Sequence, residues 1–429
     1  MSECFDLIVV GAGPAGMAAA AVAAEAGKKV CLIDDNAAPG GQIWRGYERL
    51  GATKRPHVIA YRYWESRLRQ SDCAMWAGYR VIAIPRPNHL RLENDRGSRD
   101  VAYRNLILAT GARERFLPFP GWTLPGVLGV GGLQAMVKSG FDPRGKRVVI
   151  AGTGPLLLAI ASGLSEADAE VVGIYEQAPL ARLSRLGAHL LRHPEKLIEG
   201  TRYRSKTLRA PYRAGSWVTQ VEGSGRVEKV YVTNGRKIWM HECDLLACGF
   251  HLVPNLELPQ LLGCRIAGGY VEVDRKQQSS VAGVACVGEL TGIGGMDKAI
   301  LEGQIAGWVA AENQREADSL AEKIGPYLRF AQQLDRAFAL RDELRHLARS
   351  ETLVCRCEDV AHAKLKECRG WREAKLHTRC GMGACQGRVC GPATEFLYGW
   401  QHDGVRPPVF PATVAAVAQR GEIIGPPGV

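Results

Sequence analysis

Six of the thirteen cysteines lie in one short stretch, residues 355–390, while the other seven are spread over the preceding part of the chain. Cys355 and Cys357 are separated by one residue, and Cys385 and Cys390 by four. Two close pairs from two loops can supply four thiolates to a [2Fe-2S] cluster. Structural zinc is the alternative, but its paired ligands are usually spaced as Cys-x-x-Cys. The one-residue spacing therefore favours iron–sulfur.

Glycines and arginines surround these thiols. Glycines let a loop fold so that backbone N–H groups point at sulfur atoms, and arginines offset the negative charge of a cluster. The glycines are Gly381, Gly383, Gly387 and Gly391, and the arginines are Arg356, Arg379 and Arg388. Cys380 is a rival ligand because it precedes Cys385 by five residues, whereas Cys368 lies in a helix-like segment and is expected to be a bystander.

A second chemical signal is a glycine-rich turn near the N-terminus. An apolar run ends at Val10 and leads into Gly11-Ala12-Gly13-Pro14-Ala15-Gly16, after which an alanine-rich helix is predicted. In a G-x-G-x-x-G turn, the glycines allow a tight turn, close approach to a pyrophosphate, and helix–strand packing. Asp34 ends the next predicted strand, where an acid accepts hydrogen bonds from an adenosine ribose. The segment predicts a dinucleotide site.

Further elements favour FAD over NAD. A long cofactor such as FAD needs the chain to approach it closely at additional points, whereas a compact NAD site needs no such additional contacts. Gly40-Gly41-Gln42 follows the acid, and Thr110-Gly111 and Gly288-Glu289 end later strands. The candidate FAD-binding residues are Gly11, Gly13, Pro14, Ala15, Gly16, Asp34, Gly40, Gly41, Gln42, Val81, Thr110, Gly111, Gly288 and Glu289.

A second glycine turn, Gly152-Thr153-Gly154-Pro155-Leu156-Leu157, departs from this pattern. Leu157 stands where glycine or alanine normally allows close approach of helix, strand and pyrophosphate. Glu176 would suit a ribose hydroxyl. The turn therefore argues against NAD(P) and leaves either another nucleotide or a purely structural fold.

Two strand–turn–helix–strand patterns, at residues 5–34 and 147–176, predict the elements that would position these residues. Such βαβ units predict an α/β fold with two Rossmann-like dinucleotide-binding domains of the FAD/NAD(P) disulfide-reductase type, followed by a small ferredoxin-like [2Fe-2S] module. We expect the FAD-binding domain to be discontinuous. The predicted divisions are 1–115 with 274–312 (FAD-binding), 116–273 (second nucleotide-binding-like), 313–350 (helical connector), 351–400 ([2Fe-2S] module) and 401–429 (C-terminal tail).

Composition excludes several other classes of protein. The chain has 429 residues, is 46% hydrophobic and 23% charged, and carries a net charge of +11, which is typical of a globular protein rather than a disordered one. A basic stretch at residues 182–213 lacks any nucleic-acid-binding motif, so no nucleic-acid partner is expected. No secretory signal and no membrane span are visible. We therefore predict a cytoplasmic protein.

Glycine is the one compositional outlier, with 50 residues against a usual share of about 7%. More than half of these glycines fall in four segments, residues 11–51, 121–145, 283–307 and 381–391. Glycine is needed where a backbone approaches another group without a Cβ in between. We interpret the segments as cofactor loops, although the sequence names no ligand for residues 121–145.

The C-terminal run Thr378 to Gly391, together with Gly111 to Arg115 and the glycine-rich Pro125 to Gly132, resembles a known family. The chain is identified as similar to the α subunits of heteromeric flavin-dependent amino-acid dehydrogenases, a family that includes the A-subunit of opine oxidase, the B-subunit of hydrogen cyanide synthase and the α subunit of D-hydroxyproline dehydrogenase. The C-terminal stretch resembles the ferredoxin module related to bacterioferritin-associated ferredoxin. The resemblance implies Cys355, Cys357, Cys385 and Cys390 as metal ligands, with the position of Cys380 variable. Relatives usually carry Asp where this chain has Glu289.

The resemblance also implies a function. It indicates an electron-transfer subunit with FAD and a [2Fe-2S] cluster, in which a β subunit of the amino-acid-oxidase type oxidises the C–N bond of an amino or imino acid. Further implications are an FMN at the interface with a partner and a small ferredoxin-like γ subunit. Among substrates the expected order is hydroxyproline, then opines, then glycine. The rival hypotheses are a stand-alone NAD(P)H-dependent ferredoxin reductase and a non-catalytic assembly subunit.

Overall fold

The computed structural model describes residues 3–49, 55–191, 194–402 and 404–418. The end of the predicted C-terminal tail, residues 419–429, lies outside the described residues, as do residues 192 and 193 of the basic stretch. The described chain forms two compact units. The described residues of the first unit fall within 3–112, 254–332 and 404–418, and those of the second within 113–253 and 333–402.

The strands, in chain order, are β1 (Cys4–Val10), β2 (Val30–Asp34), β3 (Cys73–Ala77), β4 (Arg80–Ala83), β5 (His89–Asn94), β6 (Gly97–Leu108), β7 (Ala112–Glu114), β8 (Val127–Gly129), β9 (Arg147–Thr153), β10 (Glu170–Glu176), β11 (Tyr212–Ala214), β12 (Trp217–Glu222), β13 (Lys229–Thr233), β14 (Ile238–Glu242), β15 (Leu245–Phe250), β16 (Leu252–Pro254), β17 (Ile266–Ala267), β18 (Tyr270–Val271), β19 (Val284–Cys286), β20 (Leu353–Cys355) and β21 (Val360–Ala361).

The α-helices are α1 (Pro14–Glu25), α2 (Pro56–Gln70), α3 (Val130–Lys138), α4 (Leu156–Glu166), α5 (Leu180–Leu190), α6 (Pro194–Lys206), α7 (Glu257–Leu261), α8 (Met296–Ala310), α9 (Gln314–Ala321), α10 (Gly325–Ala337), α11 (His362–Lys366), α12 (Trp371–Thr378), α13 (Cys390–Tyr398) and α14 (Val414–Ala418). Short 3-10 helices cover Tyr47–Arg49, Gly288–Thr291 and Asp342–His346.

The first unit is built on a seven-stranded sheet with the order β3-β2-β1-β6-β5-β4, and β19 also pairs with β6. Strands β1, β2, β3, β6 and β19 run parallel, whereas β4 and β5 form antiparallel pairs at one edge. Because β19 pairs with β6, the chain returns to this sheet after leaving it at residue 108. The carboxyl ends of β1, β6 and β19 therefore lie side by side.

Small side chains explain how helix α1 fits in this unit. Eleven of its twelve residues are buried, because it packs against α8 as well as the sheet. A Cβ at Gly303 of α8 would overlap the carbonyl oxygen of Ala15. The alanines and this glycine allow the two helices to approach closely, which places the middle of α8 beside the start of α1.

The second unit contains a five-stranded parallel sheet with the order β11-β10-β9-β15-β8 and a three-stranded antiparallel sheet, β12-β13-β14. Its core is aliphatic and aromatic, and includes Phe119, Trp217 and Phe250. The cysteine-rich segment also belongs to this unit. It consists of the β20-β21 hairpin followed by α11, α12 and α13.

The compact units divide the chain differently from the domains predicted from sequence. Residues 254–273 lie in the first unit rather than the second, because Leu258 and Val271 pack in the same core as Phe5. Residues 404–418 also belong to the first unit, since Val409 N donates to Ile82 O at 2.8 Å and Thr413 N to the carboxylate of Glu93 at 2.8 Å. The predicted connector, 313–350, is shared between both units.

Candidate functional site

The first glycine turn joins β1 to α1 with backbone conformations that require glycine. Gly11 has φ +105°, and a Cβ there would overlap the carbonyl oxygen of Ala109. A Cβ at Gly16 would overlap the carbonyl oxygen of Gly11. At Gly13, by contrast, a Cβ would meet nothing within 4 Å. The turn is therefore closed on its protein side and open at Gly13, at the N-terminus of α1, where a pyrophosphate would bind.

Asp34, at the end of β2, is hydrogen-bonded to this turn. The side chain is 6% exposed, and its carboxylate accepts hydrogen bonds from Ala12 N at 2.5 Å and from Asn36 N at 2.8 Å. Gly40 N donates to Ala12 O at 2.7 Å, and a Cβ at Gly41 would lie 3.0 Å from Gly13 Cα. The structure thus brings Asp34, Gly40 and Gly41 together around the first turn.

Other predicted residues lie at the same edge of the sheet or next to it. Pro14 and Ala15 are buried at the start of α1, and Gln42 is exposed beside Gly41. Val81 differs, because its side chain is 3% exposed and packs in the core opposite Leu92. Only the backbone of Val81 is left to contact a cofactor.

Thr110 and Gly111 follow β6 and are joined to Asn255. Asn255 Nδ2 donates to Thr110 O at 2.7 Å, Thr110 Oγ1 donates to Asn255 O at 3.1 Å, and Asn255 N donates to Gly111 O at 3.0 Å. Sequence reasoning missed Asn255. Thr110 lies 145 residues away from it, so no local pattern indicates this pairing.

Gly288 and Glu289 follow β19. Gly288 has φ +77°, and a Cβ there would lie 3.2 Å from the Cβ of Ala15. The Glu289 carboxylate accepts hydrogen bonds of 3.1 Å from Gly294 N and Gly295 N. Burial raises the pKa of Glu289, and the charge of Lys298 opposes that rise. Glycine turns at the ends of three neighbouring parallel strands thus form one continuous edge that fits an extended dinucleotide.

The acidic residue at the second glycine turn, Glu176, is hydrogen-bonded by the protein itself. Glu176 is 1% exposed and accepts hydrogen bonds from Thr153 Oγ1 at 2.7 Å, Gly154 N at 2.8 Å and Ala178 N at 2.8 Å. Burial raises the pKa of Glu176 to about 7. Leu157 is 1% exposed and packs in the core of the second unit. Both carboxylate oxygens of Glu176 thus already accept hydrogen bonds from the turn and the strand end.

The third glycine segment surrounds a carboxylate of the protein. Glu114 accepts hydrogen bonds from Gly131 N at 2.7 Å and Gly132 N at 3.1 Å. A Cβ at Gly129 would overlap the Glu114 carboxylate. Sequence reasoning interpreted residues 121–145 as a cofactor loop and missed the role of Glu114, since nothing in the spacing pairs it with residues 129–132.

Three buried thiols converge in the cysteine-rich segment. The Sγ atoms of Cys355, Cys380 and Cys390 all lie within 4.8 Å of one another. Cys355 ends β20, Cys380 follows α12, and Cys390 begins α13, so three separate elements position them. The hydrogen-bonding thiols of Cys380 and Cys390 lower the pKa of Cys355 to about 2.

Cys385 and Cys357 extend this group towards the surface. Cys385 contacts both Cys390 and Cys357, and the thiol of Cys390 lowers the pKa of Cys385 to about 5. Cys357 is exposed and Cys385 is half-buried. A Cβ at Gly383 would overlap the Cβ of Cys357. The structure thus gathers all four predicted ligands and adds Cys380, whereas Cys368 has its sulfur directed at Lys364 O.

Backbone N–H groups point at these sulfur atoms. Those of Gly381 and Glu358 donate to Cys355, and those of Gly387 and Val389 donate to Cys385. All thirteen cysteines are free thiols. A set of clustered thiolates with N–H donors around them fits an iron–sulfur cluster in its donor chemistry.

The sequence matches the family model described as pyridine nucleotide-disulphide oxidoreductase over residues 5–314. The chain belongs to the pyridine nucleotide-disulphide oxidoreductase family. Its α/β fold with Rossmann-like units is the one predicted, and this oxidoreductase is a flavoprotein of the FAD-binding type.

Curated relatives of this pyridine nucleotide-disulphide oxidoreductase confirm the predicted resemblance. The A-subunit of opine oxidase from Rhizobium meliloti is 34% identical, over 96% of this chain and 98% of that protein. The HcnB subunit of hydrogen cyanide synthase from Pseudomonas aeruginosa is 33% identical, over 89% of this chain and 90% of that protein. The oxidoreductase is therefore similar to proteins named as enzyme subunits.

Solved structures show the same fold. L-proline dehydrogenase from P. horikoshii matches 98% of this chain and 81% of that chain with a TM-score of 0.72, at 18% sequence identity. Thioredoxin reductase from T. acidophilum matches 73% of this chain and 100% of that chain with a TM-score of 0.56, at 20% identity. Within the part of the chain that the structure describes, no helix is both long and apolar enough to span a membrane.

Proposed function

We propose that this chain is the electron-transfer subunit of a heteromeric amino- or imino-acid dehydrogenase, carrying FAD in its first unit and a [2Fe-2S] cluster in its C-terminal segment. The observation that carries the proposal is the convergence of four thiols: the sulfur atoms of Cys355 and Cys390 lie within 4.8 Å of each other, and Cys385 contacts both Cys390 and Cys357. Clustered thiolates in a flavoprotein favour electron transfer over hydride transfer alone.

The chain's own residues have defined roles in this proposal. Gly11, Gly13 and Gly16 bring the backbone N–H groups at the start of α1 to the pyrophosphate, and Asp34 holds the adenosine ribose. Glu289, fixed by the N–H groups of the loop before α8, lies where the resemblance places the ribityl contact. When bound, the flavin would convert two-electron into one-electron transfer, and the cluster would carry single electrons.

The proposed metal ligands are Cys355, Cys357, Cys385 and Cys390. Cys357 is exposed, whereas Cys355 and Cys390 are buried. This arrangement would leave one edge of the site facing solvent, and an electron acceptor could approach that edge. The buried thiols pack with Leu365 and Trp400, whose side chains would exclude water from the inner ligands.

The first experiment is cofactor analysis of the purified chain. We expect one FAD and two irons per chain, flavin absorbance, and an electron paramagnetic resonance signal of a reduced [2Fe-2S] cluster. Absence of flavin would contradict the first part of the proposal, and absence of iron, or zinc in its place, would contradict the second.

The second experiment tests the role in a complex. The chain would be prepared alone and together with a flavoprotein β subunit of the amino-acid-oxidase type encoded beside it, with or without a small ferredoxin-like γ subunit. We expect hydroxyproline, an opine or glycine to reduce FAD and cluster rapidly in the complex and not in the chain alone. Failure of all three substrates with a fully loaded complex would favour a non-catalytic assembly subunit.

The third experiment tests the rival ferredoxin reductase. The buried side chain of Leu157 stands in the second turn where glycine or alanine normally lets a pyrophosphate approach. We therefore expect NADH and NADPH to be oxidised slowly by the isolated chain with a ferredoxin as acceptor. Turnover at reductase rates would overturn the electron-transfer proposal in favour of that rival.

A further inference from the structure

Lys298 is buried in the first unit, next to the turn that carries Glu289. Lysine is almost never fully buried without a partner, yet the side chain of Lys298 is 1% exposed. Lys298 Nζ lies 2.8 Å from Glu302 Oε1, and Glu302 is likewise 1% exposed. Both residues belong to α8, one helical turn apart. Nothing in the glycine motifs predicts a charged pair at this position.

The ammonium group has all three of its protons engaged by this part of the chain. Besides the bond to Glu302, Lys298 Nζ donates to Gly288 O at 3.0 Å and to Thr291 Oγ1 at 2.9 Å. The second carboxylate oxygen of Glu302 accepts from Gly288 N at 2.8 Å and from Thr291 Oγ1 at 2.8 Å. The pair therefore holds both the N–H and the C=O of Gly288.

The neighbouring glycines make room for this arrangement. A Cβ at Gly294 would overlap the Cδ of Lys298, and Gly292 adopts φ +138° with the lysine stem 3.9 Å from its Cβ position. Gly294 and Gly295 are also the residues whose N–H groups bind the Glu289 carboxylate. The same loop thus accommodates the lysine on one side and fixes Glu289 on the other.

An ion pair so deep in the protein is not explained by stability. Removing two charges from water costs more than most buried pairs regain, and apolar replacements of both partners are often neutral or stabilising. Here the pair holds the peptide groups of one turn, and Lys298 is the cation that acts on two carboxylates, Glu289 and Glu302. Such a pair sets the local geometry and the local charge together.

We infer that Lys298 and Glu302 are positioning residues for the flavin, which hold the Gly288–Glu289 turn against the cofactor and balance the charge at its ribityl side. The inference rests on the proposed FAD site. It assigns no contact between Lys298 and the flavin, since Lys298 acts through Gly288, Thr291 and Glu289.

The test compares three variants with the wild type and with a matched control. The variants are K298M, E302Q and the double variant K298M/E302M. The control is K28M, which removes an ion pair between Lys28 and the 83% exposed side chain of Glu312, just beyond the C-terminal end of α8. For each protein the FAD dissociation constant, the flavin midpoint potential and the thermal unfolding temperature are measured.

We expect FAD binding to weaken by tenfold or more in all three variants and to stay unchanged in K28M. The flavin midpoint potentials of the two single variants should move in opposite directions. E302Q removes one of the two carboxylates that interact with Lys298 and should shift the flavin potential to more positive values, whereas K298M leaves both carboxylates without their cation and should shift it to more negative values. The double variant removes both charges and should restore the potential, but not the affinity, because Gly288 still lacks its partners.

The outcomes separate this inference from the proposal on which it rests. A wild-type protein that binds no FAD would overturn both. Wild-type FAD binding with unchanged affinity in K298M and E302Q would overturn the inference alone. Potentials that shift in the same direction in both single variants would also overturn it, because they would indicate a general loss of structure. The double variant covers the case in which a single charged partner prevents folding.

Discussion

Glu114 Oε1 accepts a hydrogen bond of 2.7 Å from the backbone nitrogen of Gly131, which places a carboxylate of the protein at the start of α3. The other oxygen accepts from Gly132 N at 3.1 Å. Negative charge is favourable at a helix N-terminus, where N–H groups lack intrahelical partners. A glycine-rich segment that looks like a cofactor loop in the sequence therefore binds a side chain of its own chain.

This relationship predicts that E114A destabilises the second unit. The N–H groups of Gly131 and Gly132 lose their acceptor, and a void forms against Gly129. We expect the free energy of unfolding to fall by about 2 kcal/mol, measured by denaturant titration, with FAD absorbance per chain unchanged. E114Q, which keeps one acceptor oxygen, should lie between E114A and the wild type. Loss of FAD without loss of stability would instead indicate a cofactor contact.

The first glycine turn predicts that G16V abolishes FAD binding. Any Cβ at Gly16 overlaps the carbonyl oxygen of Gly11, so the turn has to open and its N–H groups leave the pyrophosphate position. The flavin absorbance of the purified variant measures the loss. G163A is the matched control, since a Cβ at this glycine of α4 meets nothing within 4 Å. A G16V protein with full flavin content would contradict the assignment.

The thiol group predicts a ranking among cysteine variants. We expect C355S, C357S, C385S and C390S to lose the iron and its electron paramagnetic resonance signal. C380S should retain both, and C368S is the control, because its sulfur is directed at the Lys364 carbonyl oxygen and not at the other thiols. If C357S retained the iron and C380S lost it, Cys380 would replace Cys357 in the ligand set. Both residues lie within the group of thiols.

Glu176 predicts a pH dependence of stability. Burial raises its pKa in the folded protein to about 7 from 4.5, so the folded state binds the proton more tightly than the unfolded state. The stabilisation from this proton is complete below about pH 4.5 and is lost as the pH rises through about 7, a difference of at most about 3 kcal/mol.

Thermal unfolding at about pH 5.5 and about pH 8, on either side of the raised pKa, measures this dependence. E176Q cannot ionise, so the loss of stability between the two pH values should be smaller in the variant than in the wild type. The conservative E170Q, at the exposed start of the same strand, should behave as the wild type does. Equal losses in all three proteins would show that Glu176 is not the titrating group.

The sequence alone was sufficient for those features whose physical cause is local. A glycine turn between a strand and a helix is encoded by neighbouring residues, and the spacing from Gly11 to Asp34 follows from the lengths of α1 and β2. The parallel strands then bring their carboxyl ends to one edge, which is why the sequence predicts Gly11, Thr110 and Gly288 as candidates for one site. The family resemblance followed from the same motifs and is confirmed by the relatives.

Only the tertiary structure decided which groups use the hydrogen-bonding atoms at these turns. The glycines near residue 130 donate hydrogen bonds to Glu114, and both oxygens of Glu176 accept hydrogen bonds at the second turn. The N–H and C=O of Gly288 are hydrogen-bonded to a buried ion pair on α8. The tertiary structure also brings Cys380 beside Cys355 and Cys390. Packing between elements that are distant in sequence determines these hydrogen-bond partners. The spacing of residue types along one segment carries no information about that packing.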